Sequence, residues 1–235
     1  MGAIFRRELK SYFTSPMGFV YLAVFYLFAG FYFFVNVILY SYADLTGIIR
    51  SMFTIIMFLI PILTMRLLSE DKKNKTDQAL LTAPIKIASV VLGKFFAAFT
   101  VYLISCAIML VFAIILASFT TLEWGVVLLN ILGMVLVGAA LIALGTFISS
   151  LTESQTIAVI VTFAAVFFLY FIDSLAANIQ NEAAKRIILG FSFFSRYEGF
   201  MNGLLNYANV IFFVSVTALF LYYTTKVIER RRYIG

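Results

Sequence analysis

Six apolar runs, each near or above the roughly 20 residues a helix needs to cross bilayer hydrocarbon, decide what this chain can fold into. In hydrocarbon the backbone N–H and C=O groups find no water, so an isolated run of this length pairs them within itself, as a helix. The runs cover residues 17–40, 51–68, 90–118, 125–149, 156–175 and 208–225. Pro61 sits inside the second and predicts a kink there. The fourth and fifth are separated only by residues 150–155 and read as a tight helical hairpin. With 63% apolar and 12% charged residues among 235, and a mean hydropathy of +1.05, the chain cannot bury its apolar surface and still present a wet exterior. The expected fold is all-α: a polytopic membrane protein of six transmembrane helices.

Lys and Arg set the orientation, because basic residues flanking a span are retained in the cytoplasm. Arg6, Arg7 and Lys10 near the start, Arg66, Lys72, Lys73, Lys75, Lys86 and Lys94 in the charged island 66–94 that joins the second and third runs, and Lys226, Arg230, Arg231 and Arg232 near the end fall on one side. Only Arg50, Lys185, Arg186 and Arg196 fall on the other. Both termini are thus expected in the cytoplasm, as an even number of spans requires, in a multi-pass protein of the cell membrane. The net charge of +6 expresses this bias and an attraction to anionic membrane lipid; without a soluble basic face, nucleic acid is not an expected partner. The first apolar run is too long for a signal-peptide core and no small-residue cleavage pattern follows it. Cys106, the single cysteine, permits no internal disulfide.

Residues 2–14, GAIFRRELKSYFT, set Phe5, Leu9, Tyr12 and Phe13 on one helical side and Arg6, Arg7 and Lys10 on another. This is the pattern of an interfacial helix; a plain basic anchor is the simpler alternative. Ser15 and Pro16 then supply an N-cap and a first-turn proline where the chain enters the bilayer. Residues 66–94 form a charged island between apolar runs. Within it Thr76 can cap a short helix beginning at Asp77, whose carboxylate suits the positive helix end. Ala79, Leu80 and Leu81 make an apolar knob, and Pro84 ends the helix. Such a helix suits a cleft on a soluble partner, and a headgroup-bound loop is the bland alternative.

The fourth run repeats small residues at intervals of three or four, among them Gly133, Gly138, Ala139, Ala143, Gly145 and Ser149. Small residues let membrane helices approach closely, here either inside one subunit or at a seam between two. Residues 176–207 are too long for a turn and too broken to span. They read as a pair of short interfacial or re-entrant helices with breaks at Gly190 and Gly199, or as a simple outer loop.

The chain contains no histidine, which removes Ser-His and Cys-His nucleophile pairs and His-ligated zinc. Asp44 and Asp173 lie at the outer edge, not facing each other at membrane depth as an aspartyl mechanism needs. No phosphate loop occurs, and the longest soluble segment is far below the size of a nucleotide-hydrolysing domain, about 100 residues. No catalytic residue, cofactor or metal is expected. Ionisable groups deep in the spans, the mark of an ion-coupled carrier, are nearly missing. Asn36 and Asn130 are expected to hydrogen-bond between helices.

Three stretches, RRELKSYFTSPMGFV, MRLLSEDKKNKTDQALLTAPIKIASVVLGKF and FISSLTESQTIA, together resemble the signature regions of ABC-2 type (type-2 exporter) permeases, and within them the gliding-motility and nitrous-oxide-reductase-maturation branch. The resemblance covers essentially the whole chain. Many of those permeases carry Gly before the threonine that corresponds to Thr76, where this chain has Lys75. The resemblance implies a cytoplasmic connecting helix in residues 1–16, bearing Arg6, Arg7, Glu8 and Lys10, followed by a single six-helix transmembrane domain in residues 17–235. It implies a coupling helix at residues 76–84 for the cleft of an ATPase subunit, through Asp71, Thr76, Asp77, Leu80, Leu81 and Pro84. A second, smaller contact would lie at Thr152, Glu153 and Gln155, and re-entrant helices at residues 176–207. The implied partners are separate ABC ATPase subunits and a second permease copy or a homologous permease, and ATP hydrolysis would belong to the ATPase. The leading reading is the membrane subunit of an ATP-driven exporter; the alternative is a non-transporting scaffold or assembly factor that anchors a cytoplasmic complex.

Overall fold

The computed structural model describes the chain except residues 41–43, 77–85, 178–180, 191 and 235, and gives the backbone alone at 177, 183, 184, 186, 187, 233 and 234. Every regular element among the described residues is a helix, and none of those residues forms a strand. Helix α1 (Gly2–Thr14) ends at Ser15, whose extended backbone makes an elbow, and Pro16 starts α2 (Pro16–Phe33) with its φ already set for a first turn. Ser15 occupies the N-cap position without capping: its hydroxyl accepts from Arg66 Nη1 at 3.1 Å instead. Gly18 is required at the elbow because a Cβ there would overlap the Tyr12 carbonyl.

The first span continues as a π-helical segment, Phe34–Leu39. Asn36 lies there and donates to Tyr32 O at 2.8 Å within its own helix. The expected interhelical role thus belongs to Asn130 alone, whose amide donates to Thr46 Oγ1 at 3.1 Å. Helix α3 (Leu45–Thr64) starts earlier than its apolar run, because Asp44 caps it by accepting from Thr46 N at 2.9 Å and Gly47 N at 3.2 Å. The chain turns at Met65, just beyond Pro61, and resumes as α4 (Arg66–Lys73). The charged island is therefore partly the helical extension of the second span.

The remaining spans are α5 (Ile87–Ala117), α6 (Trp124–Leu151), α7 (Gln155–Ala177) and α10 (Tyr207–Ile234). Six helices are long and apolar enough to cross a membrane. Helix α6 is central, touching α3, α5, α7 and α10, and its small residues are filled from within the chain. A Cβ on Gly133 would lie 2.7 Å from Phe200 Cβ, one on Gly138 would overlap the Tyr102 ring, and one on Gly145 would overlap the Thr64 side chain. Tyr102 in turn donates to Met134 O at 2.7 Å. The spans α2, α7 and α10 bury little and turn apolar side chains outward.

Between α7 and α10 lie two short helices, α8 (Glu182–Gly190) and α9 (Phe193–Met201). Gly190 ends α8 as expected. Gly199, expected as a break, lies inside α9 instead; the chain reverses at Gly203, whose φ of +71° only glycine adopts without strain. Ser192 caps α9 by accepting from Ser195 N at 2.9 Å, and its hydroxyl donates to Asp173 Oδ2 at 2.6 Å. Helices α1 and α4 and the start of α5 share one end of the bundle with the end of α10, shown by a recess walled by Lys86, Ile87, Glu229 and Arg232. This is the basic end; α8 and α9 lie at the opposite one.

Candidate functional site at the basic end of the bundle

The apolar side of α1 leans on the rest of the bundle. Phe5, Leu9 and Phe13 pack against the core and Tyr12 is buried, while Arg6, Arg7 and Lys10 are exposed. The close approach of α1 to α5 depends on Gly93, where a Cβ would stand 3.0 Å from Ile4 Cγ2. The next residue, Lys94, is 1% exposed. Its ammonium lies 3.2 Å from Glu8 Oε1 and 2.8 Å from Asp71 Oδ2, so one buried cation ties α1, α4 and α5 together. Glu8 also takes Arg7 Nη2 at 2.6 Å, and that pairing raises the Arg7 guanidinium pKa further.

Arg66 fastens the same elements from the other side. It donates to Ser11 Oγ at 2.8 Å and Ser15 Oγ at 3.1 Å in the elbow, pairs with Glu70 at 3.1 Å, and lies 5.5 Å from the centre of the Tyr12 ring. Burial pushes the Tyr12 phenol well above its ordinary pKa, with Arg66 pulling the other way. Tyr12 therefore stays neutral and donates to Leu63 O at 2.9 Å.

The turn at Met65 frees backbone groups that an unbroken helix would pair. The Ser149 hydroxyl of α6 enters that gap, accepting from Leu68 N and Ser69 N at 3.1 Å each and donating to Met65 O at 3.0 Å. Lys72 donates to Ser150 O at the C-terminal end of α6, where the helix dipole favours a cation. Ser149 and Ser150 of the FISSLTESQT stretch thus hold α4 onto α6.

Of the residues singled out in the sequence, Asp77, Leu80, Leu81 and Pro84 lie outside the described residues. Asp71 sits in the Lys94 cluster. Thr76 turns its hydroxyl back to donate to Asp71 O at 3.2 Å and Oδ1 at 3.1 Å. Lys75 adopts φ of +57°, the left-handed residue just beyond the α4 C-cap Asn74, a position that glycine takes at no steric cost. Thr152, exposed Glu153 and Gln155 form the turn from α6 to α7, with Thr152 Oγ1 accepting from Ser154 N at 3.1 Å; Lys72 fastens the adjoining end of α6 to α4.

In the sequence Arg66 and Lys94 counted only toward orientation and Ser149 only toward the small-residue stripe, while Gly93 had no role. The signal was present for one of them: Lys94 is a cation inside the third apolar run, and an ionisable group there needs a partner. Arg7, Glu8, Arg66, Asp71 and Lys94 share the walls of a recess of about 270 Å³. Among the described residues no cluster could hold a metal ion. What it joins are three elements whose relative positions it fixes. Residues 36–224 match the model of a family described as ABC-2 family transporter protein. No curated protein matches the chain.

Proposed function

The chain belongs to the ABC-2 family of transporter proteins, and for the transmembrane permease component of an ABC transporter that this makes it, we propose motion supplied in trans by a separate ATPase subunit bound at the basic end. The basic end faces the cytoplasm of a cell whose plasma membrane holds the protein, and transport runs outward. Residues 76–84 are the coupling segment that enters the ATPase cleft, α1 is the connecting helix beside it, and Thr152, Glu153 and Gln155 make a smaller contact. A second copy or a homologous permease completes the path, and α8 and α9 are the re-entrant helices over its exit. The branch that serves gliding motility and nitrous-oxide-reductase maturation is the one this chain fits.

The observation that carries this reading is the Lys94 cluster. A thrust on residues 76–84 enters α4 just beyond Asp71, and Lys94 passes it to α5 and, through Glu8, to α1. The test uses the permease reconstituted with its ATPase. Leu80→Asp or Asp77→Lys should abolish stimulated ATP hydrolysis while membrane insertion stays normal; unchanged hydrolysis in both variants would remove the docking assignment. An anchoring scaffold that moves nothing would still bind the ATPase yet show no transport at any hydrolysis rate.

A further inference from the structure

We propose that a groove between α7 and α10, at the end opposite the termini, holds the acyl chain of an anionic phospholipid whose phosphate rests on Arg196. The groove has a volume of about 400 Å³ and is walled by Leu169 of α7, Phe193 of α9, and Phe212, Val216, Leu219 and Phe220 of α10. Along α10 it runs from Phe212 to Phe220, a length of about 12 Å at the helical rise, descending from the bundle end toward its middle. This is the direction and reach of an alkyl tail entering from the leaflet at that end.

Arg196 stands at the head of the groove, its guanidinium carbon 4.1 Å from the centre of the Phe212 ring that forms the upper wall. The side chain is held firmly. Nε and Nη2 donate to Gly190 O at 3.1 and 2.8 Å, Nη1 donates to Asn209 Oδ1 at 3.2 Å, and Asn209 Nδ2 donates back to Arg196 O at 3.1 Å. These bonds take three of the five guanidinium N–H groups and leave one on each terminal nitrogen.

No carboxylate among the described residues pairs with Arg196. Glu198 is taken by Arg50 at 3.0 Å, and Asp173 accepts from Ser192 at 2.6 Å. A fixed, half-buried cation without a counter-ion, with free donors beside an apolar channel, is complementary to a phosphate carrying a tail. A zwitterionic lipid brings its own ammonium to the same place and cancels part of that attraction.

The experiment is native mass spectrometry of the full chain, released from bilayers of equal parts phosphatidylglycerol and phosphatidylcholine. The basic end attracts anionic lipid in every variant alike, so the readout is the difference between variants. The wild type should retain phosphatidylglycerol over phosphatidylcholine by about tenfold more than Arg196→Gln does, the scale of one charge-assisted contact. Val216→Trp, which fills the groove and leaves the Arg196 bonds in place, should lose the bound lipid, with its thermal unfolding midpoint reporting an intact fold; Leu219→Trp replaces it if that fold is lost. Equal retention in wild type and Arg196→Gln, retention undiminished by the groove-filling variant, or displacement by tailless glycerol phosphate would each overturn the proposal.

Discussion

Lys94 concentrates the consequences of the fold in one side chain. Burying a charge is costly unless it is paired, and removing one member of a buried ion set leaves the others uncompensated, at a cost of about 3–5 kcal/mol. Lys94→Met strands Asp71 and leaves Glu8 only the exposed Arg7 as a partner, though both carboxylates are themselves largely covered. The variant should unfold at a lower temperature and let a cysteine at position 11 react faster with a maleimide, as α1 comes loose from α5. Adding Glu8→Gln and Asp71→Asn should restore most of the loss, because neutral amides in place leave no bare charge. A triple variant no better than Lys94→Met would show that the charges are not what holds α1. The cation could be read from the sequence as an anomaly within an apolar run; its partners could not, since they come from segments far away along the chain. Lys75 teaches the converse. The resemblance led one to expect glycine there, and the left-handed backbone of φ +57° supplies the reason that glycine suits the position.

At the scale of helices, length and ends were mostly written locally. Pro16 begins α2, Asp44 begins α3, and Pro61 announces the interruption that follows at Met65. What fills that interruption was not local. Ser149→Ala removes the acceptor shared by the Leu68 and Ser69 amides, and a buried donor left unsatisfied costs about 1–3 kcal/mol. Its unfolding midpoint should fall further than that of Ser154→Ala, which gives up only a long, exposed bond from Ile157 N at 3.4 Å. The glycines of α6 give a second check on the helix contacts. Gly138→Val drives its side chain into the Tyr102 ring, while Gly125 has nothing within 4 Å of a Cβ. Overpacking costs about 1–3 kcal/mol and sometimes more, so Gly138→Val should lower stability and Gly125→Val should not. The small-residue stripe in the sequence left two uses open, and Gly133, Gly138 and Gly145 serve packing inside the chain. At the opposite end the sequence showed two short helices but put the second break at Gly199, because glycine alone does not distinguish a helix interior from a reversal; the positive φ falls at Gly203.

For the whole molecule, six spans place both ends of the chain on one side of the bilayer. Cysteines introduced at positions 3, 80 and 232 should react with an impermeant maleimide in inside-out vesicles, and a cysteine at position 185 should react only in right-side-out ones; position 80 labelling with 185 would overturn the orientation. The sequence by itself determined the number of spans, the helical state of each and the excess of basic charge at one end, because a backbone in hydrocarbon must satisfy its own hydrogen bonds and charges must stay near water. Only the tertiary structure decided that α6 is central, that α2, α7 and α10 are peripheral, and that Glu8, Asp71 and Lys94 meet. Lipid and protein interior are equally apolar, so hydropathy cannot tell a span's buried side from its lipid side. Close packing of side chains from distant segments is what makes that distinction.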